Sequence, residues 1–464
     1  MTDVEAILEN ARYLREVRPL DPAEICEYVA GQPHPAVVRQ TIREHAVDLG
    51  VRELEDGTFV PVEDGPVSPA GTGIERFPEA YAARFEDRLA DRYGPDWHRG
   101  DSGDRLRARI DRLKEAYFAD EAVEYDALTA DAYGLYHLPD YYAAVQYVLD
   151  ALAGDGLLPR RLRVLDVGAG VGGPALGIND FMPADSLVEY AAVEPSAAAD
   201  VLEWLLAETR PAFDATVHRE TARAHDPDGP FDLVLFGNVL SELDEPVAVA
   251  DRYLDALADA GTLLVLSPAE ERTATRLREV ERALLARRDD VTVYAPTVRL
   301  WPDDEPEERG WTFRREPALA VPAFQRRLDR AAGGDGSYVN VDVQFAYLLA
   351  RTDDRRAVEY DPDPAEVARM AEMDTHVTDR IDLVALKLSP DLAAEGNPLF
   401  KVSDGSEAVD HYAVLTREST LNEALMRAPY GALLRFENVL VLWNDDEEAY
   451  NLVVDGETVV DRLA

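Results

Sequence analysis

A glycine-rich stretch at residues 164–177, VLDVGAGVGGPALG, constrains the fold more than any other part of this sequence. An apolar strand runs into closely spaced glycines and then into a helix, which is the pattern of a doubly wound α/β sheet with a ligand loop after its first strand. Two templates fit. Gly168, Gly170 and Gly173 match the dinucleotide loop G-x-G-x-x-G, whereas Asp166, Gly168, Gly170 and Gly172 match the D-x-G-x-G-x-G loop of proteins that bind S-adenosylmethionine.

Three features favour S-adenosylmethionine over a dinucleotide. Asp166 stands two residues before the first glycine, which is unusual in dinucleotide loops. Glu194 ends the second predicted strand, where a carboxylate can accept hydrogen bonds from both ribose hydroxyls. Two late strands follow the fifth, and we find no acid–base set of a dehydrogenase. The methionine carboxylate could lie at the helix N-terminus after the loop. The sequence therefore predicts S-adenosylmethionine, with the following cofactor-binding residues: Asp166, Gly168, Gly170, Gly172, Glu194 and Asn238.

Asn238 is also the one weak candidate for a catalytic residue. It ends the fourth predicted strand, FDLVLFGN, where some methyltransferases use the Asn of an N-P-P-Y motif to orient an amino nitrogen. Here Val239 and Leu240 follow in place of the prolines, so the alternative role of Asn238 is to cap a backbone turn. Ser241 and Glu242 are expected to cap the next turn, and the sequence offers no convincing general base.

The order of strand and helix patterns predicts six regions and an α/β fold class, a Rossmann-like methyltransferase sheet with smaller flanking domains. They are a winged-helix domain (1–62), a linker (63–74), a helical region (75–158), an S-adenosylmethionine-binding domain (159–353), a linker with a helix (354–380) and a small β-rich domain (381–464). For the last region we expect an OB-like barrel.

The predicted winged-helix domain has three helices and a hairpin whose two-residue turn is Asp56-Gly57. Its third helix carries Arg39 and Arg43 on one face, where a DNA-reading helix would present them. However, the domain has 6 basic and 12 acidic residues, which favours protein docking or packing over DNA binding.

The composition is strongly acidic, with 91 Asp and Glu against 47 Lys and Arg, of which only three are lysines. A net charge of −44 spread along the chain is typical of proteins adapted to molar salt, where charge repulsion is screened. With no long apolar run and an amphipathic first helix, we expect a cytoplasmic protein without membrane contact. Cys26 is the only cysteine, which excludes an intrachain disulfide and a thiolate metal site.

Four segments together resemble the methyltransferase-like family associated with the mitochondrial ribosomal small subunit, which has bacterial and archaeal members. They are YHLPDYYAAVQYVLDAL (136–152), VLDVGAGVGG (164–173), FDLVLFGNVLSEL (231–243) and YAPTVRLWPDDEPEERGWTF (294–313). The resemblance spans roughly 75–350. It implies the class I methyltransferase fold, S-adenosylmethionine, and a role in small-subunit assembly through rRNA.

Family members carry cluster-binding cysteines in the last of these segments, and this sequence does not. Thr297 follows Ala295-Pro296, Trp301 precedes Pro302, and Thr312 follows Trp311. Because iron–sulfur clusters are held by thiolates, we expect neither a cluster nor any other metal here. We expect residues 295–316 to be ordered by packing of Trp301, Trp311 and Phe313, with ion pairs among the following charged residues: Asp303, Asp304, Glu305, Arg309, Arg314 and Arg315.

The leading hypothesis is a protein that binds S-adenosylmethionine and acts on small-subunit rRNA or in small-subunit assembly, with or without methyl transfer. One alternative is a winged-helix DNA-binding regulator that senses S-adenosylmethionine. The other is a methyltransferase for small molecules or proteins.

Overall fold

The computed structural model describes residues 4–71, 73–301 and 310–464. The chain forms two compact units. The first contains the described residues up to Glu242, together with Arg252–Gly261 and Pro317–Val343, and the second contains the described residues of Leu243–Asp251, Thr262–Glu316 and Gln344–Ala464. In the described part of the chain, no helix is long and apolar enough to cross a membrane.

The N-terminal part of the first unit has helices followed by a two-stranded hairpin, as predicted. Its elements are α1 (Val4–Leu14), α2 (Pro22–Tyr28), α3 (Pro35–Glu44), α4 (Ala46–Leu49), β1 (Val51–Glu53) and β2 (Phe59–Pro61). The predicted third helix is divided into α3 and α4. The predicted two-residue turn is wrong. The Leu54 N–H donates to Thr58 O at 2.8 Å, so the turn contains the three residues 55–57. Gly57 has a φ of +82°. The winged-helix assignment stays a prediction.

Arg39 and Arg43 are engaged inside this domain. Both guanidinium groups bind the carboxylate of Glu53 on β1, each through a different oxygen, and Glu53 is only 4% exposed. A buried carboxylate needs such compensation. The arginines that a DNA-binding helix would present are therefore used to stabilise the hairpin against α3.

Three long helices follow: α5 (Glu79–Tyr93), α6 (Gly100–Ala119) and α7 (Ala127–Gly154). α6 ends where Asp120 takes a left-handed conformation (φ +57°). α7 then begins at the N-cap residue Asp126 and continues through Pro139. An aromatic core, including Phe85 and Trp97, lies among these helices.

Four parallel strands of the first unit carry the predicted ligand loop. The elements are β3 (Arg161–Val167), α8 (Gly173–Phe181), β4 (Leu187–Val193), α9 (Ala198–Leu206), β5 (Phe213–His218) and β6 (Phe231–Gly237). The strand order is β5-β4-β3-β6, and all three pairings are parallel. This is the doubly wound arrangement predicted from the strand and helix order. The carboxyl ends of the strands meet at one edge, where ligands bind in such sheets.

The middle of the chain continues with helices and mostly antiparallel strands. They are α10 (Pro246–Leu254), β7 (Leu257–Pro268), α11 (Glu271–Leu285), β8 (Thr292–Ala295), β9 (Arg314–Glu316), α12 (Ala323–Ala331) and β10 (Val343–Arg351). β10 pairs antiparallel with both β7 and β8. The two late strands predicted from the sequence correspond to β8 and β10.

The described residues between β8 and β9 are held by apolar packing and hydrogen bonds. Trp301 is buried and its indole Nε1 donates to Asp404 Oδ2 at 2.8 Å. Trp311 donates to Ala269 O at 3.1 Å and stacks on buried Phe313. Arg314 pairs with Glu316 at 2.5 Å, a partner the sequence did not predict. Arg315 donates to Gln344 Oε1 at 3.0 Å, and the other charged residues expected to form ion pairs, Asp303, Asp304, Glu305 and Arg309, lie outside the described residues.

The C-terminal region is a closed five-stranded barrel. Its elements are β11 (Arg380–Lys387), β12 (Leu399–Ser403), β13 (His411–Leu415), α13 (Glu423–Arg427), β14 (Leu433–Asn444), β15 (Ala449–Val454) and β16 (Val459–Arg462). The order β11-β12-β13-β15-β14 closes through pairing of β11 with β14, and β13 runs parallel to β15. Two strands predicted separately, at 431–436 and 438–443, form the single strand β14, which continues through Asn438 at φ +62°.

Two of the three lysines lie inside this barrel region. Lys387 donates to Leu425 O at 2.8 Å and Ala428 O at 2.9 Å, at the carboxyl end of α13. Its burial lowers its pKa to about 8. Lys401 is 1% exposed and pairs with Asp410. The helix predicted within the linker 354–380 is wrong, since only a 3₁₀ segment at Met370–His376 forms in this region.

Candidate cofactor site

The glycine loop joins β3 to α8 with three left-handed residues. Gly168, Gly170 and Gly172 have φ values of +73°, +54° and +92°, which side-chain-bearing residues rarely adopt. The N–H groups of Gly168 and Ala169 both donate to Val193 O at the end of β4, at 2.8 and 3.2 Å. Gly172 is the N-cap of α8. The loop therefore lies at the carboxyl edge of the sheet, as the sequence predicts.

The three glycines differ in what surrounds them. A Cβ at Gly168 would lie 2.5 Å from Val239 Cγ2, and one at Gly172 would lie 2.6 Å from Leu202 Cδ1. A Cβ at Gly170 would meet only Gly168 O, at 4.0 Å. Close packing thus explains two of the glycines, whereas Gly170 faces open space in which a ligand could approach the backbone.

Alanine at Gly170 is expected to weaken S-adenosylmethionine binding about tenfold or more, because its methyl group would occupy this open space. The left-handed conformation should cost roughly 1–2 kcal/mol of unfolding free energy. Gly168→Ala is the matched comparison: it collides with Val239 and should lose more stability. Calorimetric titration and urea unfolding, both in molar KCl, measure the two effects. Wild-type affinity in Gly170→Ala would contradict the placement of the ligand.

Glu194 follows β4 and accepts backbone hydrogen bonds through both carboxylate oxygens, one of them from the glycine loop. The Gly170 N–H donates to Oε2 and the Ser196 N–H donates to Oε1, each at 2.9 Å. The side chain is largely buried. A carboxylate fixed by two backbone donors still has lone pairs for ribose hydroxyls, so Glu194 occupies the position that the sequence assigned to it.

Asp166 is fully buried at the end of β3. The Tyr190 hydroxyl donates to its Oδ2, while Oδ1 has no hydrogen-bond partner. Burial raises the pKa of Asp166 to about 7, and the nearby Glu194 carboxylate acts in the same direction. A buried acceptor without a donor is costly. It therefore fits a site that is completed by a donor on a bound cofactor.

Asn238 follows β6 in a left-handed turn, with φ +60° and little solvent exposure. Asn tolerates this conformation better than most residues. The adjacent Val239 lies against Gly168. The structure thus brings Asn238 to the same edge as the loop, in the turn geometry that the alternative interpretation predicts.

An aromatic wall, which we define as Tyr125, Tyr133, His137 and Tyr141, borders this site. Tyr141 lies against the loop, because a Cβ at Gly173 on α8 would be 2.9 Å from Tyr141 Cβ. His137 and Tyr141 stack with centroids 5.1 Å apart, and Tyr133 lies 4.8 Å from His137. The Tyr133 hydroxyl donates to Tyr141 Oη at 3.2 Å, and burial raises the pKa of both tyrosines.

The aromatic wall was not predicted from the sequence, although the spacing of its residues is visible there. Residues 133, 137 and 141 are spaced four apart, so they share one face of α7. The same spacing is typical of core residues, and the sequence gave no reason to treat these differently. In the structure they are half-buried rather than fully buried, so part of each ring stays accessible.

Polar groups lie beside the aromatic wall. The Asn340 side-chain amide donates to Asp140 Oδ2 at 2.9 Å, and His137 Nδ1 lies 3.4 Å from the same oxygen. The Tyr125 hydroxyl donates to Glu242 Oε1 at 3.4 Å. Glu242 keeps contact with solvent, but the protein around its carboxyl group raises its pKa to about 7. Sequence analysis had assigned Glu242 only a capping role.

The region that contains this site is similar to known methyltransferases. Residues 136–321 match a family model described as a methyltransferase domain. The core is methyltransferase-like. Residues 4–55 and 371–463 match the N-terminal and C-terminal domains of a domain of unknown function, DUF8157. No match was found among curated protein sequences. The methyltransferase match supports the prediction of S-adenosylmethionine as the cofactor, and the narrower resemblance to the small-subunit family stays a prediction.

Solved structures with similar regions are also methyltransferases by description. The plantazolicin methyltransferase BpumL, in complex with SAH, has 11% identity, a TM-score of 0.31, and coverage of 59% of this chain and 98% of its own. A candidate methyltransferase from Thermoplasma acidophilum has 10% identity, a TM-score of 0.28, and coverage of 42% and 70%. CcbJ from Streptomyces caelestis has 22% identity, a TM-score of 0.23, and coverage of 29% and 51%, so this chain spans about half of its length.

Among the described residues, no group of His, Cys, Asp or Glu is arranged to hold a metal ion. The residues that fit a cofactor are those of the loop: the open face of Gly170, the Glu194 carboxylate, and the Asp166 oxygen without a partner.

Proposed function

We propose that this protein is a methyltransferase that uses S-adenosylmethionine. The observation that carries the proposal is the open face of Gly170 beside Glu194, within the region that matches a methyltransferase domain. The cofactor would supply an electrophilic methyl group on a sulfonium. Glu194 would hold its ribose, and the loop would accommodate its methionine part against the amino end of α8.

The acceptor in this proposal is rRNA of the small ribosomal subunit. The resemblance of residues 136–152, 164–173 and 231–243 supports this acceptor. An aromatic wall beside the cofactor loop could stack against a base turned out of its helix. Closed five-stranded Greek-key barrels include folds that bind oligonucleotides. With a net charge of −44, recognition would depend on stacking and shape more than on phosphate attraction.

Transfer of a tritiated methyl group tests the acceptor. The purified protein is incubated in molar KCl with labelled S-adenosylmethionine and, separately, with small-subunit precursors, free rRNA, DNA, and a protein and metabolite extract. Label in small-subunit rRNA supports the proposal. Label in protein or in a small molecule instead overturns the rRNA acceptor and leaves the methyltransferase. Tight cofactor binding and co-sedimentation with precursors, without label, would instead indicate an assembly factor that retains the cofactor.

A further inference from the structure

Glu242 has features that its predicted capping role does not explain. It ends the 3₁₀ segment Leu240–Glu242 that follows β6, four residues beyond Asn238. It therefore lies at the carboxyl edge of the sheet, where the glycine loop and Glu194 also lie. Its Oε1 accepts a hydrogen bond at 3.4 Å from the hydroxyl of Tyr125, which lies in the segment that precedes α7.

In the described part of the chain, the groups that face Glu242 include no cation. The titratable groups that face it are the hydroxyls of Tyr125, Tyr133 and Tyr141 and the carboxylate of Glu194. In the described part of the chain, no Arg, Lys or His forms an ion pair with it. Buried carboxylates elsewhere in this protein, such as Glu53 and Glu281, are paired with arginines, whereas Glu242 is exposed beside the aromatic wall. Glu242 is therefore placed to interact with something other than the protein itself.

We propose that Glu242 is the general base of methyl transfer, a role that rests on the proposed function. As the lone pair of the acceptor atom forms its bond to the methyl carbon, the carbon–sulfur bond breaks and its electron pair stays on sulfur. The proton of the acceptor N–H or O–H group passes to a Glu242 carboxylate oxygen. The acceptor is methylated, the thioether leaves neutral, and Glu242 later returns the proton to solvent.

The proton affinity of Glu242 suits this task. The protein around its carboxyl group, and also the Glu194 carboxylate, raise the pKa of Glu242 to about 7, which makes it a stronger base than an ordinary carboxylate while it stays partly ionised at neutral pH. Proton acceptance requires the carboxylate, so activity should rise as pH increases through this value. Tyr125 is a positioning residue, since its hydroxyl donates to Glu242 and lowers that pKa.

Binding of two cofactor analogues tests the role without knowledge of the acceptor. Sinefungin carries an ammonium group on the carbon that replaces the sulfonium, near the position of the transferred methyl, whereas S-adenosylhomocysteine carries none. In wild type, the preference for sinefungin over S-adenosylhomocysteine should increase about tenfold as pH rises through 7. In Glu242→Gln the preference should fall about tenfold at pH 8 and no longer depend on pH. Asp244→Asn, an equal charge change two residues away, should behave like wild type.

Tyr125→Phe provides a second variant in case Glu242→Gln folds poorly. The pH midpoint of the sinefungin preference should move upward, because the donor that stabilises the carboxylate is lost. An unchanged preference in Glu242→Gln, or an unchanged midpoint in Tyr125→Phe, would overturn the assignment of Glu242 while S-adenosylhomocysteine still binds. If wild type binds neither analogue, the proposed function itself is wrong and this inference falls with it.

Discussion

A Glu194→Ala variant is expected to bind S-adenosylmethionine about 100-fold more weakly than wild type, or worse. The change removes two charge-assisted hydrogen bonds, to the N–H groups of Gly170 and Ser196, and the acceptors intended for the ribose. A hydrogen bond to a charged group contributes about 1.5–3 kcal/mol, so two such losses account for this decrease. Calorimetric titration in molar KCl measures it.

Glu189→Ala is the matched control for that variant. Glu189 is an exposed acid on the same strand, β4, and pairs with Arg163 at 3.3 Å. An exposed ion pair contributes at most about 1 kcal/mol, and this one lies away from the glycine loop. If Glu194→Ala and Glu189→Ala bind the cofactor equally well, Glu194 is not part of the cofactor site.

The Asp131→Ala variant is expected to lose about 3–5 kcal/mol of unfolding free energy. Asp131 is fully buried on α7, accepts from Arg88 Nε at 3.0 Å and from the Tyr93 hydroxyl at 2.6 Å, and pairs with Arg92 at 3.4 Å. The Arg88 side chain is only 12% exposed. Removing one partner leaves a buried charge uncompensated, which is what makes such changes costly.

Urea unfolding at constant KCl concentration measures this loss, with Asp126→Ala as the comparison. Asp126 is the exposed N-cap of the same helix and accepts from the Thr129 N–H at 2.7 Å. Loss of an N-cap costs about 1 kcal/mol. Equal losses in the two variants would show that the Asp131 network contributes no more than an ordinary helix cap.

The sequence predicted the parts of the site that depend on backbone geometry. A run of left-handed residues between a strand and a helix requires glycines at fixed positions, and Glu194 is placed by the length of β4. The aromatic wall could not be predicted in the same way. Tyr133 and Tyr141 have the spacing of core residues, and only the position of α7 against α8 shows that they border the glycine loop.

Expectations for the flanking regions failed where local signals are ambiguous. Arg39 and Arg43 share a helix face, but their partner Glu53 is on another element, so the sequence could not show that they are neutralised. The helix expected within the linker 354–380 relied on the spacing of apolar residues, and only the 3₁₀ segment at Met370–His376 forms there. By contrast, alternating apolar residues predicted a β barrel correctly, because every second side chain of a strand faces the barrel core.

The burial of Lys387 and Lys401 has a practical consequence for chemical labelling. An acylating reagent modifies neutral, accessible primary amines, and the chain has only one further lysine, Lys114. In the folded protein the two barrel amines are shielded, one by carbonyl oxygens and the other beside Asp410. Acylation of these two lysines, followed by mass spectrometry, would therefore report opening of the C-terminal barrel alone.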